Sequence, residues 1–230
     1  MRRFATMCVV LLACFTVNTV LAANNTLTPV EKKAGWKLLF DGKTLDGWTA
    51  TGNPQSWTVE NGTISDVNKN GGYLATKEQF KNFTLSLEFK IVKGANSGVF
   101  FRWTDLNNPV DTGIEMQILD TYDLKSPGKN DCGAIYDCLA PRKNACKPAG
   151  EWNKAVINCR NNLIWIDMNG KRIIYMNLDR WTTPHMNPDG TRNKFKTAYK
   201  DMPQNGHIGF QDYGQRLWFR NIKIKLAASR

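Results

Sequence analysis

Apolar and polar side chains alternate with period two along most of this chain, as in strands that bury one face. The pattern is cleanest at 83–91, where Phe83, Leu85, Leu87, Phe89 and Ile91 interleave with Thr84, Ser86, Glu88 and Lys90. Similar runs occupy 97–103, 114–119, 154–159, 163–168, 172–176, 207–210 and 217–226. Turn residues separate them: Asp41-Gly42, Asn61-Gly62, Asn70-Gly71-Gly72 and Asn169-Gly170, the last flanked by apolar runs as in a tight hairpin. A long helical period is missing; 76–81 reads as one short helical turn. Many short strands with frequent turns predict an all-β fold, a two-sheet antiparallel jelly-roll sandwich. Two stretches break the alternation, 121–147 and the Pro-containing 179–204, and long ordered loops in a compact β domain often carry function.

The amino terminus follows a different pattern. Met1-Arg2-Arg3 is basic, 4–21 has no charge, and Val20-Leu21-Ala22 ends in the small-residue form that a signal peptidase accepts. The apolar stretch is long enough for a marginal membrane span, but Thr16, Asn18 and Thr19 favour removal. A lipoprotein-type cleavage before Cys14 is the weaker reading, since apolar residues continue past it. The expectation is a signal peptide at 1–22, a flexible segment at 23–34, one jelly-roll domain at 35–228, and a periplasmic or secreted protein. The remaining chain has no apolar stretch long enough to span a bilayer.

The net charge is +11, yet Lys and Arg are scattered with no basic run, so a nucleic-acid partner is not expected. Beyond the signal, four cysteines remain: Cys132, Cys138, Cys146 and Cys159. In an exported chain they predict two disulfides with three possible connectivities, of which Cys138–Cys146 with Cys132–Cys159 is one. They lack the paired Cys-x-x-Cys of a zinc site, and His185 and His207 do not form a ligand pair. No cofactor is predicted, and spacing supports no structural or catalytic divalent cation.

Candidate chemistry concentrates at 113–120. In a strand, Ile114, Met116 and Ile118 face the core while Glu115 and Gln117 face the other way. A carboxylate beside an amide suits a sugar ring, supplying an acid or base and a neutral donor and acceptor. With a bulge, Asp120 would join them as a second carboxylate. Bacterial jelly-roll β-glucanases carry Glu-x-Asp-x-x-Glu on one strand, and Glu115, Gln117 and Asp120 resemble an altered version. The plainer alternative is an exposed polar strand face. Arg102, in phase with Gly98 and Phe100, is expected on such a face to hold a carboxylate ionised or to clamp a substrate oxygen. Its alternative role is a rim salt bridge. Most tryptophans of a β sandwich belong to the core, but Trp181 lies in a polar loop and is a candidate sugar platform.

The whole pattern resembles one bacterial family. Leu39-Phe40-Asp41-Gly42-Lys43-Thr44-Leu45-Asp46-Gly47-Trp48 is similar to the opening of the 3-keto-disaccharide hydrolase domain family. The resemblance continues through 57–62, 83–89, 96–102, 113–120, 133–136, 147–153, 169–170 and 206–211, and closes at 219–225. It implies a concanavalin-like sandwich with the ligand on a concave face, export, and a small carbohydrate substrate, a glycoside oxidised at carbon 3. On that reading Glu115 is a base, Arg102 with Gln117 steadies an enolate, Asp120 or Tyr136 protonates the leaving oxygen, and Gln211 binds substrate. Family members often read Gln-x-His-Gly where this chain has Gln211-Asp212-Tyr213-Gly214, so a role of that histidine does not transfer. A non-catalytic carbohydrate-binding module on the same fold is the alternative, because fold does not fix function. Oligomeric state is not legible.

Overall fold

The computed structural model describes residues 23–67 and 72–227, so the expected signal at 1–22 lies outside the described residues. In chain order the strands are β1 (Trp36–Leu38), β2 (Trp48–Ala50), β3 (Trp57–Glu60), β4 (Thr63–Asp66), β5 (Tyr73–Thr76), β6 (Phe83–Ile91) and β7 (Asn96–Trp103). They continue with β8 (Ile114–Leu119), β9 (Asn153–Arg160), β10 (Leu163–Met168), β11 (Lys171–Asn177), β12 (His207–Gln211) and β13 (Leu217–Leu226). One antiparallel sheet runs β11-β10-β9-β6-β13-β4-β3, with β1 also on β13; the other runs β2-β5-β12-β7-β8. This is the expected sandwich.

The alternating strands meet through their apolar faces. Phe83, Leu85, Leu87 and Phe89 of β6 and Phe219 of β13 share one core with Val99, Phe101, Ile114, Met116, Ile118 and Phe210 of the smaller sheet. The Phe210 and Phe219 rings stack across the two sheets with centroids 3.8 Å apart. The hairpin at Asn169-Gly170 joins β10 to β11 with both residues at positive φ, 49° and 77°, as a two-residue turn matched to strand twist requires.

Three local details differ from the sequence reading. Residues 76–81 end β5 and then bend, with Phe80 bridging Gly206, and form no helical turn. The segment 23–34, expected to be flexible, contains a short helix α1 (Pro29–Lys33) capped by Thr28. The same segment is tied to β13, where the Asn25 N–H donates to Asn221 Oδ1 (2.7 Å) and the Asn221 N–H to Asn25 Oδ1 (2.9 Å). Finally, all four cysteines are free thiols. Cys146 contacts Cys132, and its Sγ lies 3.5 Å from Met168 Sδ. Cys138 sits beside Tyr199, and Cys159 is deeply buried near Arg102. The pairs suggested by spacing are therefore not the neighbours in the fold.

Candidate active site

The smaller sheet has a second face, turned from the core. Ala75, Phe100 and Trp103 form a small buried cluster there, with Tyr73 packed against it. Glu115 and Gln117 belong to the same face by alternation along β8. Opposite them in register on β7 stand Phe100 and Gly98. A Cβ at Gly98 would fall 2.8 Å from both Cγ and Cδ of Glu115, and closer still to Oε1. The glycine makes the space in which the Glu115 side chain lies, as a glycine inside a strand often does for a close approach.

The open edge of β8 is covered by the loop at 121–147. The Gln117 N–H donates to Ala134 O (3.0 Å), the Gly133 N–H to Gln117 O (2.8 Å), and the Tyr136 N–H to Glu115 O (3.0 Å). This backbone register sets Tyr136 beside Glu115. The second long loop folds over the first. Asn187 accepts from Trp181 Nε1 (3.0 Å) and donates to Asp137 O (3.0 Å), while the Lys194 N–H donates to the Asp137 carboxylate (2.8 Å). Lys194 Nζ then rests 4.1 Å from the centroid of the Tyr136 ring.

Covered in this way, Glu115 is only 7 % exposed, and no hydrogen-bond donor reaches its carboxyl group among the described residues. Burial pushes its pKa up to about 7, opposed by the positive charge of Lys194. Burial also raises Tyr73 and Tyr136, and the charge of Glu115 adds to both shifts. Tyr73 accepts from Gln211 Nε2 (3.0 Å), which joins β5 to β12 beside the carboxyl group. Gln117, 3 % exposed, donates through Nε2 to Asn130 O (3.2 Å), and its Oε1 has no partner among the described residues. Tyr213, 59 % exposed, lies close enough to Tyr73 and Tyr136 to act on both electrostatically, at the rim of the same site. The result is a recessed carboxyl group surrounded by phenols and amides, with one nearby cation.

The structure brings Glu115, Gln117, Tyr136 and Gln211 together, but not the other candidates. Arg102 is the largest departure. Between Phe100 and Trp103 strand β7 carries one residue more than β12 opposite, and Arg102 takes φ 53° at this bulge. The parity flips there, so Trp103 joins Phe100 on the outer face and Arg102 turns away. The guanidinium, 1 % exposed, donates to Asn161 O (2.6 Å) at the end of the larger sheet. Asp120 lies beyond β8, where its Oδ2 accepts from the Gly94 N–H (2.8 Å) in the β6–β7 turn. Trp181 is no platform: it is 5 % exposed, and its ring belongs to the core. His207 bonds Thr76 O through Nδ1 (2.6 Å) and Gln79 through Nε2 (3.0 Å), contacts that hold its ring against β5 and the segment after it. Among the described residues no three His, Cys, Asp or Glu side chains converge as a metal set.

Tyr73, Lys194, Asn187 and Gly98 were not foreseen as contributors to the site. Gly98, a glycine inside a predicted strand, was the one with a readable signal. Lys194 had none, because its place depends on how two loops stack.

Comparison with known proteins decides the family. Residues 35–225 match the model of the 3-keto-alpha-glucoside-1,2-lyase-like domain. The chain belongs to this family. A 3-keto-disaccharide hydrolase of Bacteroides thetaiotaomicron is 29% identical over 227 residues, covering 84% of this chain and 78% of the relative. A Parabacteroides distasonis protein described as a glycosyl hydrolase is 34% identical, with a TM-score of 0.75, over 84% of this chain and 99% of the other. A second from the same organism is 25% identical, with a TM-score of 0.74, over 90% and 100%. This member of the 3-keto-alpha-glucoside-1,2-lyase-like family is thus a carbohydrate-active enzyme, homologous to a 3-keto-disaccharide hydrolase. The membership gives the recessed carboxyl group its chemical context.

Proposed function

We propose that the enzyme cleaves the glycosidic bond of a 3-keto-glycoside by elimination, with Glu115 as the base that removes the hydrogen at carbon 2. The observation that carries this reading is the state of Glu115: buried, without a hydrogen-bond donor among the described residues, and with a pKa near neutrality. A carboxylate of that basicity is matched to proton transfer at the pH of work. A ketone at carbon 3 acidifies the neighbouring hydrogen. Its removal forms the enolate, whose collapse expels the oxygen on carbon 1 and leaves a carbon 1–carbon 2 double bond. Addition of water at carbon 1, with proton return to carbon 2, completes net hydrolysis.

The rest of the site fits these needs. Burial keeps Tyr136 protonated, so its hydroxyl is available to the leaving oxygen. Gln117 Oε1, unpartnered among the described residues, is an acceptor for a sugar hydroxyl. A direct displacement would need a second carboxylate near the first. Among the described residues, the strands of this face present Glu115 alone, since Asp120 is engaged with Gly94.

Incubation with 3-keto-glucosides and with their unoxidised parents tests the reading. Release of aglycone from the keto form alone, lost in Glu115→Gln, is expected. Equal turnover of the parent sugars, or an unchanged Glu115→Gln enzyme, would overturn it. The basic start and the charge-free stretch ending at Ala22 support export of the enzyme. An amino terminus beginning at Ala23 in protein recovered outside the cytoplasm is the expected outcome; an intact Met1 start there contradicts cleavage.

A further inference from the structure

An enolate places a negative charge on the carbon 3 oxygen, and a buried site must meet that charge with a donor or cation. Arg102, the residue expected to do so, points away at the β7 bulge. Resting on the assignment of Glu115 as the base, we propose that Lys194 is the catalytic cation that receives the enolate charge at the carbon 3 oxygen.

Three features support this assignment. First, its ammonium is unneutralised. The neighbouring Lys129 and Lys196 are paired with Asp189 and Asp111, whereas among the described residues no carboxylate comes within ion-pair distance of Lys194. The Tyr136 ring face, 4.1 Å from Nζ, attracts the cation without cancelling its charge. Second, the loop on either side is held. Asn193 Nδ2 donates to Asn187 Oδ1 (2.9 Å), the Phe195 N–H donates to Asn193 Oδ1 (3.1 Å), and the Phe195 ring packs on Tyr199 with centroids 5.2 Å apart. With the Lys194 N–H on Asp137, the residue is fixed at its backbone and only its side chain is exposed. Third, it acts on the base itself, as the one charged group lowering the pKa of Glu115.

The step balances without a further reactant. The Glu115 carboxylate takes the carbon 2 proton, and the C–H electron pair becomes the carbon 2–carbon 3 double bond. The carbonyl pair moves to the carbon 3 oxygen, beside the Lys194 ammonium, which keeps its protons. The same electrons return as the carbon 1–oxygen bond breaks.

The test is Lys194→Met and Lys194→Arg, assayed on a 3-keto-glucoside across pH. Removal of one donor to a developing oxyanion costs about 10²–10³-fold in kcat, and Lys194→Met is expected to lose that much with a smaller change in KM. Lys194→Arg keeps the charge and is expected to retain a larger share of the rate. The acid limb of the profile gives a second readout. The groups facing Glu115 are Tyr73 from β5, Tyr136 beside β8, Tyr199, and Lys194. The three phenols stay neutral because burial raises each of them. Loss of the one cation therefore raises the pKa of Glu115, and the acid limb moves to higher pH in Lys194→Met only. Because the side chain is exposed, Tm is expected to stay put. A Lys194→Met enzyme with kcat within twofold of wild type and an unmoved acid limb overturns the proposal while Glu115 stands. If the wild-type enzyme does not act on the keto-sugar, the assignment of Glu115 falls, and this proposal falls with it.

Discussion

Gly98→Ala is a one-carbon change aimed at the position of the Glu115 carboxyl group, the proposed base. The added Cβ would lie 2.8 Å from Glu115 Cγ and Cδ. Ordinary carbon–carbon contact begins roughly 0.6 Å farther out, and Oε1 is more crowded still. Gly98 does not have a positive φ, so alanine costs no backbone strain; the whole effect comes from the clash. The Glu115 backbone is held in β8, and relief is expected through a strained χ angle, at about 0.5–1.5 kcal/mol. The carboxyl group then moves by on the order of 1 Å, a displacement that can cost about 10²-fold in rate. The expected result is a folded protein, destabilised by about 1 kcal/mol in urea, with kcat/KM on a 3-keto-glucoside down about 10²-fold. Wild-type turnover in a stable Gly98→Ala protein would refute the placement of Glu115 over Gly98.

Other expectations follow from the same contacts. The pKa of Glu115 is raised on folding from 4.5 to about 7, so the folded state holds its proton more tightly and stability is lost as pH rises between those values. Glu115→Gln removes that loss: urea denaturation is expected to show the variant gaining on wild type from pH 4.5 to 7, by on the order of 3 kcal/mol, then levelling. A constant difference across pH would contradict it. Asp120→Asn is expected to keep turnover within twofold, because the carboxylate touches Gly94 rather than the site; a hundredfold loss in kcat would restore it as a catalytic group. Mild oxidation with a disulfide reagent is expected to join Cys132 to Cys146, the thiols in contact, as read by peptide mass spectrometry. A Cys138–Cys146 or Cys132–Cys159 peptide would contradict this.

The sandwich was legible because its strands are half-buried and their side chains alternate, as in β6 and β8. The facing of Glu115 and Gln117 followed from the same parity. What defeated the reading was local departure from parity: one extra residue in β7 sends Arg102 to the far side, while Asp120 follows the strand rather than belonging to it. Trp181 looked exposed because its neighbours are polar, yet those polar groups satisfy one another around Asn187 and leave the indole buried. Lys194 and the Cys132–Cys146 contact depend on loop–loop and loop–sheet packing, which periodicity does not encode.

The most direct test of the central claim is hydrogen exchange at carbon 2 of a 3-keto-glucoside in deuterated water, followed by NMR under enzyme. Deuterium at carbon 2 of the sugar product, incorporated by the wild type and abolished in Glu115→Gln, is predicted. Cleavage of the glycoside with the carbon 2 hydrogen fully retained in the product would contradict elimination and remove Glu115 as its base.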